Sequence, residues 1–368
     1  MQKGEPAIQK IKVAVNGYGT IGRRVADAVR KQPDMELVGV TKATPDYRTD
    51  EAQQQGIKLF SINNTKAFEE AGYEVEGELN DLLQASNVVI DCSPKGKGKE
   101  NLLLYSKYPG LRAIFQGGEK HELTGLSFNS DCNYSQAAGK RFARVVSCNT
   151  TALCRVISTL NTQYRIRKVR ATLVRRSADQ AESENGILNA WAPDMGFPSH
   201  HGHDVRTVIP GINISTLAGI APMTLMHGHM LFIELEKDSI PADAGMIVDV
   251  LRRNPRILIC SEEKGLTTTA KLKDIFILSR ASGDIYEVCV WKEGVGVDES
   301  GEIGMHMAID QQADVVPENI DAIRALSNAM PAEESIAMTN AALGIGKAIK
   351  NVAYVRERGQ EEKHSGGL

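Results

Sequence analysis

No two of the six cysteines (Cys92, Cys132, Cys148, Cys154, Cys260 and Cys289) stand in a C-x-x-C pair. That spacing argues against a zinc ribbon or a disulfide framework and fits reduced thiols in the cytosol. No apolar run approaches the ~20 residues needed to cross a bilayer. The polar stretch from Met1 to Lys10 lacks the apolar core of a secretion signal, so a soluble, cytoplasmic protein is expected. An excess of one charge is also missing. The 43 Lys and Arg against 46 Asp and Glu give a formal net charge of -3, which does not suit a nucleic-acid-binding surface. Neither nucleic acid nor membrane is therefore expected as a partner. Internal repeats and extended low-complexity segments are absent. What remains is an ordinary globular composition, 42% hydrophobic and 24% charged, able to bury a sizeable core. The length favours two domains.

The first part of the chain alternates short apolar runs with helical patterns. Ile11–Val15 is β-branched and is followed by glycines and a helix-like stretch from Ile21 to Lys31. Leu37–Val40, Val88–Ile90, Ala113–Phe115 and Val145–Val146 continue the series. Strands spaced by helices imply βαβ units and a parallel, doubly wound sheet. After Ser147 the pattern changes. Thr150–Leu160 reads as a helix. Lys168–Arg175, Met230–Glu236, Ile285–Trp291 and Ile303–Ile309 then alternate with period two, the mark of a half-exposed, mainly antiparallel sheet. The expected fold class is α/β: a Rossmann-type domain over 1–147 and an α+β catalytic domain over 148–331. The polar stretch from Ser177 to Val208 has little periodicity, and a loop of that length is usually functional or interfacial. Two helices, Glu318–Ala329 and Glu333–Lys350, are expected near the end. The tail beyond them, 352–368, is expected to be flexible.

Asn16-Gly17-Tyr18-Gly19-Thr20-Ile21-Gly22 contains G-x-G-x-x-G directly between the first strand and the first helix, where a dinucleotide fingerprint belongs. Gly17 suits the tight turn, Gly19 a close approach of pyrophosphate, and Gly22 close helix–strand packing. The helix N-terminus offers free N–H groups to phosphate. The second strand ends in Thr41-Lys42 rather than in an acidic residue. Lys42 cannot accept from a ribose 2′-hydroxyl but can attract a 2′-phosphate, so NADP is expected to be accepted alongside or instead of NAD.

Ser147-Cys148-Asn149-Thr150-Thr151 lies at a strand-to-helix junction. A helix N-terminus stabilises an anion, which favours a thiolate at Cys148. Histidine is scarce, eight in all. His227 and His229 follow an apolar stretch and fall on one face of a strand by alternation. Either could be the base that a cysteine nucleophile needs, and Gly228 between them leaves the choice open. Arg175, Arg176, His200 and His201 are cationic or potentially cationic groups flanking the long polar segment. Arginine gives bidentate phosphate contacts, although adjacent residues of one strand face opposite sides. The histidine pair has no third ligand at convincing spacing, so no metal is expected.

At these residues the chain resembles the archaeal-type phosphorylating glyceraldehyde-3-phosphate dehydrogenases. S-C-N-T-T, T-L-M-H, VNGYGTIGRRVADA, FQGGEK (Phe115–Lys120), VRRSADQ (Val174–Gln180), PSHH (Pro198–His201) and VVPENIDAIRA (Val315–Ala325) carry the resemblance in order, from about Ile11 to Ile349. It implies that Cys148 attacks the aldehyde and that His227 is the acid/base. It implies a thiohemiacetal, a thioester after hydride transfer to NAD(P), and an acyl phosphate after attack by inorganic phosphate. Ser147, Asn149 and Thr150 fall in the substrate-contact motif, with Asn149 suited to an oxyanion. His200 and His201 match the substrate-phosphate region, and Arg175, read from its charge beside the same segment, is taken with them as substrate-binding. Thr20, Ile21, Gly118, Arg176 and Gln311 match cofactor contacts. A homotetramer, and a helix from about Ala332 returning to the first domain, are also implied. Met1–Gln9 and Val352–Leu368 extend beyond the resemblance.

Two rivals are set aside on this basis. A phosphate-using semialdehyde dehydrogenase would share the thioester chemistry but need groups for an amino acid's carboxylate. A non-catalytic dinucleotide sensor would need neither Cys148 nor His227.

Overall fold

A computed structural model describes residues 10–179, 186–241, 243–280 and 282–347. The N-terminal extension and the expected flexible tail lie outside the described residues. Ile11-Lys-Val-Ala-Val-Asn16 forms the central strand of the first sheet because Val13 and Val15 are buried on one face and Ala14 on the other, as a parallel strand between helical layers requires. In chain order the first unit contains β1 (Ile11–Asn16), α1 (Thr20–Arg30), β2 (Met35–Lys42), α2 (Tyr47–Gln54), β3 (Leu59–Ser61), α3 (Thr65–Glu70) and α4 (Leu79–Gln84). It continues with β4 (Val88–Asp91), α5 (Gly98–Tyr105), β5 (Arg112–Phe115), β6 (Ser127–Phe128), α6 (Ser130–Asn133) and β7 (Phe142–Val145). The strands lie in the order β3-β2-β1-β4-β5-β7-β6, and every pairing is parallel. The order reverses between β1 and β4, the switch point at which such sheets bind nucleotides.

The second unit contains α7 (Cys148–Asn161), β8 (Ile166–Arg176), β9 (Ala192–Pro193), α8 (His200–Val208), β10 (Ile214–Ala221), β11 (His227–Leu235) and α9 (Ala244–Arg252). It goes on with β12 (Ile257–Cys260), α10 (Thr269–Ser279), β13 (Val288–Trp291), β14 (Gly296–Val297) and β15 (Ile303–Ile309). The sheet order is β12-β13-β15-β11-β8-β10-β9, with β14 paired to β15. β8/β10 and β12/β13 are parallel and the other pairings antiparallel, so the sheet is mixed rather than uniformly alternating.

The last two helices, α11 (Val316–Leu326) and α12 (Ala332–Leu343), return to the first unit. Ile320, Ile323, Leu326 and Leu343 share a core with Val13, Val15 and Val25. The final helix is shorter than the expected Glu333–Lys350: Gly344 ends it at φ 67°, a left-handed cap that glycine adopts without penalty.

Fully buried charges bind α7 to α11. The Arg155 guanidinium donates to Glu318 Oε1 at 2.8 Å, and Arg256 donates to the same oxygen at 3.3 Å. The N–H and hydroxyl of Ser130 both donate to Glu318 Oε2 at 2.6 Å. Arg256 also pairs with Asp321 at 2.6 Å. Every oxygen of Glu318 is thus compensated, the condition under which a buried charge is tolerated.

Two expected elements differ for local reasons. The strand expected from Ile285 begins only at Val288, because the Ile285 N–H is spent on the Asp310 carboxylate at 3.0 Å. The segment from Ser177 to Val208 is not all loop: it contains β9, and its last nine residues form α8.

Candidate active site

The glycine turn after β1 is fixed by space as much as by conformation. Gly17 has φ 104°, and a Cβ there would lie 2.7 Å from the Cys92 carbonyl oxygen. A Cβ at Gly22 would fall 1.8 Å from the Gly17 oxygen, whereas one at Gly19 would meet nothing within 4 Å. Gly17 and Gly22 therefore close the turn, and Gly19 leaves its outer side open. Thr20 and Ile21 begin α1, whose N-terminus has no side-chain cap. Its N–H groups are free for phosphate, the arrangement a dinucleotide uses. Gly118 follows β5, and a Cβ on it would make only an ordinary contact, 3.6 Å from the Lys95 side chain. Gln311 is buried, and its Oε1 has no hydrogen-bond partner among the described residues. A buried acceptor of this kind calls for a donor, such as a carboxamide. These features fit a nicotinamide dinucleotide. Lys42 is 7% exposed and pairs with Asp46 at 2.7 Å. Its charge is therefore already paired, and a 2′-phosphate would share it with that carboxylate.

Ser147 is the N-cap of α7, its Oγ accepting from the Thr150 N–H at 3.3 Å and lying 3.0 Å from the Thr150 hydroxyl. Such a cap starts the helix at Cys148, two residues before the expected start. Gly117 lets the backbone approach here, since a Cβ on it would lie 2.2 Å from Ser147 N. Cys148 packs against both large cores. The helix end pulls its thiol down as expected from sequence, but it does not prevail. Burial, and then Asp314, push the Cys148 thiol up, over the opposing pull of the Asn149 N–H and Arg176. Asp314 is itself driven toward its neutral form by burial.

β11 supplies the histidines. Met226 adopts φ 64° immediately before the strand, a costly conformation for a non-glycine residue that turns the chain into it. The rings of His227 and His229 lie 6.5 Å apart and 9° from parallel, as alternation along a strand requires. His227 Nδ1 accepts from the Arg176 backbone N–H at 2.9 Å. A backbone N–H only donates, so the neutral ring carries its proton on Nε2. Burial, followed by His229 and Arg176, holds His227 well below the ordinary histidine range, which keeps it neutral. His229 is 1% exposed, and burial lowers it to about 3. Its Nε2 lies 2.8 Å from Asn149 Oδ1, while its Nδ1 has no partner among the described residues. A neutral ring with one partner is best satisfied by donating from Nε2, since a buried orphan N–H costs more than a buried lone pair. His229 therefore fixes the Asn149 amide with its oxygen toward β11 and its NH2 turned away.

The two arginines at the end of β8 take different partners. Arg176 pairs with Asp179 at 2.9 Å, and Arg175 pairs with Asp194. The Nε atoms of both are buried without a partner among the described residues. His200 and His201 open α8 with their rings 4.0 Å apart. His201 is held by Ser199 Oγ at 3.1 Å, and burial, then His200 and Arg175, lower it to about 3. The absence of a third ligand expected from sequence does not hold. Asp194 joins the two histidines, with ligand-capable atoms all within 4.8 Å of one another. Asp194 was not legible because β9 is two residues long and its position depends on pairing with β10.

A parallel dinucleotide sheet joined to a mixed catalytic sheet, with a cysteine at the junction helix, defines an NAD(P)-dependent oxidoreductase acting on aldehydes. Residues 147–294 match the model of the glyceraldehyde 3-phosphate dehydrogenase C-terminal domain. Residues 11–125 match that of the dihydrodipicolinate reductase N-terminus. A glyceraldehyde-3-phosphate dehydrogenase of Archaeoglobus fulgidus is 46% identical over 342 residues, covering 92% of this chain and 99% of that protein. Those of Methanothermus fervidus (46%, 90% and 98%) and Saccharolobus islandicus (48%, 92% and 98%) are similar to a like extent. The chain belongs to the glyceraldehyde-3-phosphate dehydrogenase family, of the archaeal type. Its fold is also shared with a crystal structure of aspartate semialdehyde dehydrogenase II from Vibrio cholerae (TM-score 0.64, 12% identity, 88% of this chain and 100% of that one).

Proposed function

We propose that the chain catalyses the reversible, phosphate-dependent oxidation of D-glyceraldehyde 3-phosphate to 1,3-bisphosphoglycerate, with Cys148 as nucleophile, in glycolysis or gluconeogenesis. The observation that carries this reading is the junction itself. Cys148 is the first residue of α7, and the next residue, Asn149, is held by His229 on β11 at 2.8 Å. In the forward direction Cys148 Sγ forms a bond to the aldehyde carbon, giving a thiohemiacetal. Bound NAD(P) supplies the acceptor for the hydride. Loss of that hydride and of the hydroxyl proton leaves a thioester on Sγ. An oxygen of inorganic phosphate attacks the thioester carbon, the C–S bond breaks, and the acyl phosphate leaves with the thiol restored.

The residues divide this work by polarity. The Asn149 NH2, and His227 through its Nε2–H, are donors suited to the substrate oxygen as charge grows on it. For His227 to take the hydroxyl proton, its own proton must sit on Nδ1, so the Arg176 N–H contact is given up in that step. Ser147 and Thr150 hold the helix start. Arg175, His200 and His201 are assigned to the substrate phosphate. Gly17, Gly19, Thr20, Ile21, Gly22, Lys42, Gly118, Arg176 and Gln311 are assigned to the cofactor.

The chain is further proposed to act in the cytoplasm as a homotetramer. Among the described residues, Trp191, Met195, Phe197, Leu217 and Phe232 are large apolar side chains left exposed, a patch that a second copy would cover. No helix among the described residues is long and apolar enough to cross a membrane. The test is spectrophotometric: glyceraldehyde 3-phosphate with NAD or NADP, with and without phosphate, on the wild type and Cys148→Ser. Phosphate-dependent reduction that disappears in the variant is expected. No turnover with either cofactor from folded protein overturns the assignment.

A further inference from the structure

Arg175, Ile220 and Ala192 stand in one row across β8, β10 and β9. Two residues past Ala192, the Asp194 N–H donates to the Ala218 carbonyl at 2.9 Å. This backbone bond holds the Asp194 carboxylate against Arg175 and beside His200 and His201. With His201 neutral, Arg175 is the fixed positive charge of the group. A carboxylate thus occupies the place where an anionic substrate group would be received.

Two aspartate–histidine contacts could suggest a cation. The guanidinium bonded to the same carboxylate argues against it, because two positive charges a few ångströms apart repel strongly in a partly buried site. The Arg175 Nε, buried and without a partner among the described residues, asks for a further acceptor rather than for a metal.

We propose that Asp194 is a specificity-determining residue, an internal anion that holds the substrate-phosphate site at rest and yields only to a phosphate dianion. The proposal rests on the reading above that Arg175 receives the substrate's phosphate. A carboxylate substrate exchanges like for like at Arg175 and still pays the entropy of association. A phosphate ester brings more charge and more acceptor oxygens, enough to engage both Nη2 and the orphaned Nε. Asp194 is 27% exposed, so the displaced side chain has solvent to turn into. Aldehydes that end in a carboxylate are rejected by an occupant that resembles them, which is discrimination by competition.

The test uses Asp194→Asn in the full chain, a substitution that keeps the shape and an acceptor for Arg175 but removes the charge. Sulfate and acetate binding are measured by calorimetry. The Michaelis constant for glyceraldehyde 3-phosphate is measured beside turnover of succinic semialdehyde. Acetate is expected to bind about fivefold more tightly, the upper end for a partly exposed ion pair, and sulfate, whose extra charge and oxygens already displace the carboxylate in the wild type, to gain by a smaller factor. The Michaelis constant for glyceraldehyde 3-phosphate should fall, and the semialdehyde should gain turnover. Unchanged or weaker sulfate binding in Asp194→Asn overturns the proposal and makes Asp194 a brace. Stoichiometric Zn2+ binding to the wild type, lost in Asp194→Asn with sulfate affinity unaltered, overturns it in favour of a cation site. Arg175→Ala separates the layers. Sulfate affinity retained there removes the phosphate reading itself, while affinity lost there leaves that reading intact whatever Asp194→Asn does.

Discussion

Replacing His229 with phenylalanine keeps a ring in the core and removes the N–H that holds Asn149. The bond is 2.8 Å long between residues 1% and 5% exposed, so no water stands ready to substitute. Leaving the Asn149 oxygen unsatisfied costs roughly 1–3 kcal/mol of stability, and the amide regains freedom to rotate. If its NH2 is a donor to the substrate oxygen, misdirecting it forfeits part of what removing such a donor costs, about 10²–10³ in kcat. A drop of about 10² in kcat is therefore expected, with the Michaelis constants for aldehyde and cofactor moved by less than about threefold, because the interaction belongs to the transition state. His229→Gln, whose amide can still donate, should recover much of the loss. Initial rates at saturating cofactor, with thermal melting to confirm folding, read the split. A folded His229→Phe enzyme with wild-type kcat, or one whose loss lies wholly in the Michaelis constant, refutes the positioning role.

Other perturbations follow from the same geometry. Gly22→Ala places a Cβ 1.8 Å from a backbone oxygen and should abolish dinucleotide binding, seen as lost cofactor-induced thermal stabilisation. Glu318→Gln removes the carboxylate that faces Arg155, while Arg256 keeps Asp321, and should cost about 3–5 kcal/mol in denaturant unfolding. Because burial raises the Cys148 thiol, alkylation of the free enzyme by iodoacetamide should still accelerate as pH rises above 8, and a plateau near pH 6 would contradict it. His201 and His229, lowered to about 3, and His227, lowered well below its ordinary value, stay neutral in the fold. The unfolded chain binds protons below about pH 6.5 and the native chain does not. Their contribution is thus complete above that pH and lost as pH falls toward 3, by about 1.4 kcal/mol per unit for each ring; unfolding midpoints between pH 7 and 5 check the sign.

Patterns confined to a few neighbouring residues were legible in the sequence. Gly17, Gly19 and Gly22 sit in a turn whose spacing is its own signature, and Cys148 lies at a strand–helix junction that alternation and periodicity reveal. What escaped depends on pairing between distant segments. The polarity of His227 is set by a backbone N–H fifty-one residues away. The direction of Asn149 is set by His229 across eighty. Asp194 comes to Arg175 only because a two-residue strand finds the sheet edge. Lys42 illustrates the converse: its type was informative, but its partner Asp46 changes what the charge is free to do. At Cys148 the helix end is visible in the sequence, whereas the opposing burial against two cores is not.

The bond from Arg155 to Glu318 has a consequence for how the molecule comes into being. Cys148 stands at the start of the helix that Arg155 anchors, and Glu318 belongs to α11, near the end of the chain. Ile309, which pairs with His227, is also made late. While the chain emerges from the ribosome, the nucleophile waits through more than one hundred and fifty further residues before its helix is locked and its histidine strand is flanked. A nascent chain that has not yet reached α11 therefore carries the cysteine without the setting that makes it useful, and competence arrives only once α11 has been made.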